Sequence, residues 1–114
     1  TEAEAPQEMS EFGIHRECES EPGLCRFTIC GALVESHHAH QLYDLIETAV
    51  NEGIKEILID LKKTTFIDSI NAGAFVRSFK ACTEKGVKFQ VKGANRLVGE
   101  VFHITGIDTL FSCS

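Results

Sequence analysis

Apolar residues recur along the chain at two spacings, and these mark out its elements. Phe12, Ile14 and Cys18 predict a short edge strand, and Glu21-Pro22-Gly23 predicts a turn. From Leu24 to Cys30 the residues alternate. Cys25, Phe27 and Ile29 share one face, and Leu24, Arg26, Thr28 and Cys30 share the other. A period of two predicts a strand, paired with the first as a hairpin and ended by Gly31. Over 36–52, Leu42, Leu45, Ile46, Ala49 and Val50 return at steps of three or four residues. That stripe predicts a helix, with Ser36 as its N-cap and Gly53 just past its end.

The second half repeats the alternation of strand and helix. Ile57-Leu58-Ile59 with Leu61 is apolar without a break, as in a strand covered on both faces. Lys62-Lys63-Thr64-Thr65 reads as a polar loop, after which Phe66 and Ile67 return to the core. A second helix, about Ser69 to Lys85, places Ala72, Phe75, Val76, Phe79 and Cys82 on one face and turns Arg77, Lys80, Thr83 and Glu84 outward. Gly86 closes it. Val87 to Lys92 alternates, which predicts a strand with one buried face. A third helix, about Asn95 to Thr105, buries Leu97, Val98, Val101, Phe102 and Ile104. Gly106 stops it, and Ile107, Leu110 and Phe111 form a short final segment. The predicted class is α/β: a single domain with a small mixed sheet of about four to five strands, its helices mainly on one face.

Charge changes the picture at one end only. The chain has 114 residues and a formal net charge of −6. Residues 1–22 hold seven acids and one base, whereas the acids and bases of residues 23–114 balance. Residues 1–11 lack an apolar period, contain Pro6, and are expected to form a flexible acidic tail ahead of a domain spanning 12–114. A nucleic-acid partner would need a basic face, so none is expected. No run is long enough to span a membrane, and a cytoplasmic protein is expected. The five cysteines follow no CxxC spacing, which predicts reduced thiols rather than a disulfide framework or a zinc site.

The chemistry concentrates at Phe66-Ile67-Asp68-Ser69, where a strand gives way to a helix. The first N–H groups of a helix lack intrahelical partners and carry partial positive charge. A serine there can accept a phosphoryl group, and an adjacent carboxylate can orient its hydroxyl or repel the product. The plainer reading makes Ser69 an N-cap and Asp68 a turn residue. His37, His38 and His40 cluster at the start of the first helix, but no local carboxylate or cysteine completes a ligand set. They read as a solvated first turn, and neither a metal nor another cofactor is expected. No GxSxG, HExxH, P-loop or GxGxxG is present, so an enzyme is not expected.

Four places together resemble the STAS domain family, over roughly residues 12–112. Gly31-Ala32-Leu33 resembles the Gly-Glu-Leu after its early hairpin, and Ile57-Leu58-Ile59-Asp60-Leu61 its central strand. Phe66-Ile67-Asp68-Ser69 with Gly73-Ala74 resembles its signature loop and helix start. Thr105-Gly106-Ile107-Asp108 with Leu110-Phe111 resembles its C-terminal ending. The resemblance implies a protein-binding regulator of the anti-sigma factor antagonist type. Its partner would be an anti-sigma factor that is itself a serine kinase, bound while Ser69 is unmodified and released on phosphorylation of Ser69. Asp68 and Asp60 would neighbour the phosphosite. Thr64, Thr65, Ile70, Asn71, Gly73 and Arg77 would meet the partner. An alternative is a constitutive adaptor subunit of a membrane transporter complex. Two departures stand out: Ile70-Asn71 replaces the usual Ser/Thr-Gly, and Val34 stands where the family often has Asp.

Overall fold

The computed structural model describes residues 12–19, 23–110 and 112–113. The expected acidic tail, the Glu21-Pro22 part of the first turn and Phe111 lie outside them. Among the described residues, six strands and three helices follow in the order β1 (Gly13–Glu19), β2 (Leu24–Leu33), α1 (Ser36–Asn51), β3 (Glu56–Asp60), β4 (Thr64–Ile67), α2 (Ser69–Glu84), β5 (Lys88–Lys92), α3 (Arg96–Ile104), β6 (Ser112–Cys113). A short 3-10 turn, Ile107–Thr109, precedes β6.

The alternation in β2 decides how the sheet sits. Cys25, Phe27, Ile29 and Leu33 are buried, while Arg26, Thr28 and Cys30 between them keep partial exposure. The first set joins Leu42, Ile46, Phe75, Cys82 and Phe102 in one apolar core. The helices therefore cover one face, and the side chains seal it directly. Phe75 meets Phe102 edge-on at 5.3 Å, and Phe79 meets Phe89 at 6.3 Å.

The strand order is β1-β2-β3-β5-β6, with β1 antiparallel to β2 and the rest parallel. β3 lies between two parallel neighbours, and Ile57 to Leu61 is buried without alternation. β4 pairs with the end of β2, along the edge that β3 has just left. The register passes from Gly31↔Thr64 to Ala32↔Phe66, so Thr65 is an extra residue in a bulge. Gly31 meets the jog with φ +86°, a conformation that other residues reach only with strain. The Thr64 hydroxyl donates to the Ile29 carbonyl at 2.7 Å and bridges the interrupted ladder.

Several expectations change. The stretch beginning Thr64-Thr65 is a strand, not a loop, and within it Ile67 is buried while Phe66 is exposed. The four-residue strand offers too short a run for a period to show. Leu97 and Ile104 face solvent, and Val98 and Phe102 fill the core. Glu35, not Ser36, occupies the N-cap of α1, and its side chain makes no capping bond. Cys18 and Cys25 stand directly opposite each other across the hairpin and form a disulfide, contrary to the expected thiols. Spacing rules for loop-closing frameworks do not register a cross-strand pair set by hairpin register.

Gly93 follows β5 at φ +83°. A Cβ there would lie 3.0 Å from the Lys62 backbone nitrogen, 2.9 Å from its Cγ and 3.1 Å from Asp60 Oδ1. Gly93→Ala is expected to cost about 1–3 kcal/mol, through both the backbone conformation and the contact. A lowered urea midpoint with an unchanged slope checks this.

Candidate functional site

The parallel pairing of β2 with β4 brings two helix starts together. Leu33 is in register with Ile67, and the Asp68 N–H donates to the Leu33 carbonyl at 3.1 Å. α1 begins three residues after Leu33, and α2 begins two residues after Ile67. The two helices then pack along one another.

Asp68 is the N-cap of α2, with extended backbone geometry. Its Oδ1 accepts the Asn71 backbone N–H at 2.8 Å and the Asn71 side-chain Nδ2–H at 2.9 Å. The plain reading of Ser69 as cap is thereby reversed. The cap is the aspartate, and Ser69 is the first helical residue, exposed to solvent. Asn71 is 0% exposed, and its Oδ1 has no hydrogen-bond partner. It fastens Asp68 from within and presents nothing to a partner, which corrects its place among the surface residues.

Other expected members of the site separate in the same way. Thr64 is buried and spends its hydroxyl on Ile29, so it too leaves the surface. Thr65 stays exposed, and its carbonyl accepts from Asn95 Nδ2 at 3.3 Å. Asn95 also caps α3 through the Val98 N–H at 2.8 Å, so one amide anchors that helix to β4. Asp60 is buried, bonds the Lys62 N–H at 3.0 Å, and stands in register with Thr28. Five residue steps along β2 lead from that level to Leu33, or roughly 17 Å at about 3.3 Å per step. Asp60 is therefore not a neighbour of Ser69.

Ile70, Gly73 and Arg77 lie at helical spacing on the outer side of α2. Ile70 is 68% exposed, and Arg77 Nη1 passes 3.9 Å from where a Cβ on Gly73 would sit. Val34, at the end of β2, and Phe66, on β4, are exposed at 46% and 38%. Val34 follows Leu33, Phe66 precedes Ile67 and Ile70 follows Ser69, so exposed apolar residues flank this corner along the chain. Sequence reasoning sent Phe66 inward. Once Ile67 is fixed as buried, strand alternation turns Phe66 out.

The histidines divide. His37 and His40 are exposed, but His38 is buried, with Nδ1 unpartnered. Its ring stacks on Phe12 at 3.7 Å and meets His37 edge-on at 4.5 Å. This corrects the expectation of a solvated turn. Burial lowers the His38 pKa and His37 adds to the effect, against the opposing pull of Glu35 and Asp68. No group of three or more His, Cys, Asp or Glu among the described residues is placed to hold a metal ion. Nor is any helix among them long and apolar enough to cross a membrane.

A profile of the STAS domain matches residues 15–114. The chain belongs to the STAS domain family. A similar curated relative is the anti-sigma-B factor antagonist of Staphylococcus aureus, 24% identical over 80 residues, covering 70% of this chain and 74% of that one. Among solved structures, the anti-sigma factor antagonist SpoIIAA in its unphosphorylated form superposes with a TM-score of 0.75 at 17% identity, covering 90% of this chain and 88% of that one. The Bacillus cell fate determinant SpoIIAA in its phosphorylated form gives 0.69 at 16% identity, covering 90% and 91%. At these identities the structural likeness establishes the STAS fold.

His38 makes stability depend on pH. An unfolded chain binds the proton near the ordinary value of 6.5, and the folded chain only below it. His38 therefore contributes fully above that value. The contribution is lost as pH falls from there through the lowered folded pKa. Because Nδ1 has no partner to lose, His38→Phe is expected to keep stability near neutral pH within about 1 kcal/mol. It should also flatten the decline below pH 6.5, as read by thermal melts across pH.

Proposed function

We propose that this STAS domain is an anti-anti-sigma-type regulator that binds an anti-sigma factor serine kinase through the Ser69 corner. Binding occurs while Ser69 is unmodified and ends when Ser69 is phosphorylated. The observation that carries the reading is the division of labour at the start of α2. Asp68 is turned into its own helix by Asn71, and Ser69 stands exposed beside it among Val34, Phe66 and Ile70. The partner meets Ile70, Gly73 and Arg77 along α2, and Thr65 at the bulge. The action is cytoplasmic, where kinase and sigma factor meet. The naming of curated relatives as anti-sigma factor antagonists supports the same role.

The physics of the switch is local. A phosphoryl group on Ser69 adds about −1.5 to −2 charge. The helix start tolerates it, since partial positive charge and free N–H groups lie there, so α2 stays folded. The partner does not tolerate it. A dianion flanked by exposed apolar residues must be desolvated on binding and stands next to the Asp68 carboxylate.

Intact-mass analysis after incubation with ATP and serine-kinase anti-sigma factors tests the reading. One phosphate is expected on the wild type and none on Ser69→Ala. Ser69→Asp should weaken binding by about tenfold or more, while Ser69→Ala binds as the wild type does. Equal binding by Ser69→Ala and Ser69→Asp sinks the switch. Tight, ATP-insensitive binding without any phosphate would move the assignment to a constitutive adaptor.

Gly73 separates stability from recognition. A Cβ there meets nothing closer than Arg77 Nη1, so Gly73→Ala is expected to stabilise the helix by about 0.5–1 kcal/mol. It should nonetheless weaken partner binding, because the added methyl holds the partner away from α2. Denaturant melts and a titration of the same variant read the two effects with opposite sign.

A further inference from the structure

We infer that Cys18 and Cys25 form a reversible thiol–disulfide site, with Cys18 as the reacting thiol and Cys25 as the one that resolves it. The two are opposite residues of the β1–β2 hairpin, so each is the other's nearest thiol by register. Their surroundings differ sharply. Cys18 is exposed at the sheet edge, and Cys25 is 0% exposed in the core. The Arg16 guanidinium donates from Nε to Cys18 Sγ at 2.9 Å. That cation is held in place from two other sides, by its ion pair with Glu52 at the end of α1 and by the face of Phe27, 6.0 Å from the ring centroid.

A guanidinium on a sulfur stabilises the thiolate, which is the reacting form of cysteine. Exposure admits a second reactant to Cys18, and burial denies it to Cys25. Cys82 shows a different environment from Cys18: burial alone pushes its thiol up to about 11. The pair therefore has the two properties that an exchange site needs, an activated outer sulfur and a protected inner one.

The exchange balances with a low-molecular-weight disulfide such as glutathione disulfide. In the reduced chain, the Cys18 thiol gives its proton to solvent and its thiolate attacks one sulfur of the disulfide. The oxidant's S–S bond breaks, one glutathione leaves as thiolate, and a mixed disulfide remains on Cys18. Cys25 then loses its proton and attacks Cys18 Sγ, expelling the second glutathione. Two protein thiols are oxidised, and one disulfide is reduced to two thiols. Excess glutathione runs the same steps in reverse. The bond made or broken fastens β1, and Phe12, the residue just before that strand, stacks on His38 at the start of α1. The site stands independently of the role given to Ser69.

The test uses the full chain, reduced and then exposed to glutathione disulfide over a range of ratios to glutathione, with intact mass and alkylation mapping as readouts. The wild type is expected to lose two hydrogens and to protect Cys18 and Cys25 together. Cys25→Ala, shown to be folded by circular dichroism, should stop at one glutathione on Cys18. Cys18→Ser should form neither bridge nor adduct at Cys25. Arg16→Ala should slow Cys18 alkylation near neutral pH by about tenfold and move its pH midpoint upward, leaving the rate at Cys30 unchanged. Reaction at Cys30 ahead of Cys18, an unchanged pH profile in Arg16→Ala, or a folded wild type that forms no bridge would each overturn the inference.

Discussion

The two hydrogen bonds from Asn71 to one oxygen of Asp68 hold the Ser69 corner together. They satisfy an N–H that the start of α2 would otherwise leave open, and they place a carboxylate against the N-terminal end of the helix dipole. They also orient the surface. With Asp68 turned inward, the next residue is forced outward as the first helical position, and that residue is Ser69. A serine that capped the helix itself would have its hydroxyl committed to the backbone. Here the aspartate has taken the structural task, and Ser69 is not the cap.

That corner exists only because β2 serves two partners. Its first half pairs with β3 and its last residues pair with β4, along the same edge. The step between them is absorbed by the Gly31 backbone, the extra Thr65 and the Thr64 hydroxyl. The jog carries the chain past the end of β3 and delivers Ile67 beside Leu33. α1 and α2 then start side by side, and one helix start is built against the other. His38 is buried at this junction, close enough to Asp68 and Glu35 for both carboxylates to act on its charge.

The long elements were legible in the sequence because their periodicity is a burial pattern. Cys25, Phe27 and Ile29 alternate because one sheet face is packed, and Leu42, Ile46 and Ala49 recur because α1 buries one stripe. The family resemblance was legible from short motifs in the right order, and so was the place of Ser69 at the start of a helix. What escaped were features that depend on register or on a single contact. A strand of four residues, Thr64–Ile67, contains too few positions to show a period. The burial of Asn71 and Thr64 follows from bonds to Asp68 and Ile29, and neither residue type advertises it. Asp60 was placed beside Ser69 by the resemblance alone, yet β3 pairs with the first half of β2 and β4 with its last residues, which sets the two apart along that strand.

The departures from the family pattern at 34, 70 and 71 acquire separate meanings from their positions. Position 71 faces inward, so its asparagine answers to Asp68 and to the interior, not to a partner. Positions 34 and 70 face outward, and both carry aliphatic side chains where the family favours acid or small polar residues. The carboxylates near the corner have partners within reach: Asp68 Oδ1 accepts two hydrogen bonds from Asn71, and Glu35 Oε1 lies 3.5 Å from His37 Nδ1. The exposed surface around Ser69 is therefore less polar than the family pattern would make it. An apolar surface gives a partner area to bury, and it raises the desolvation cost of any charge placed within it. In the switch proposed above, the substitutions would strengthen the contrast between a bare and a phosphorylated Ser69.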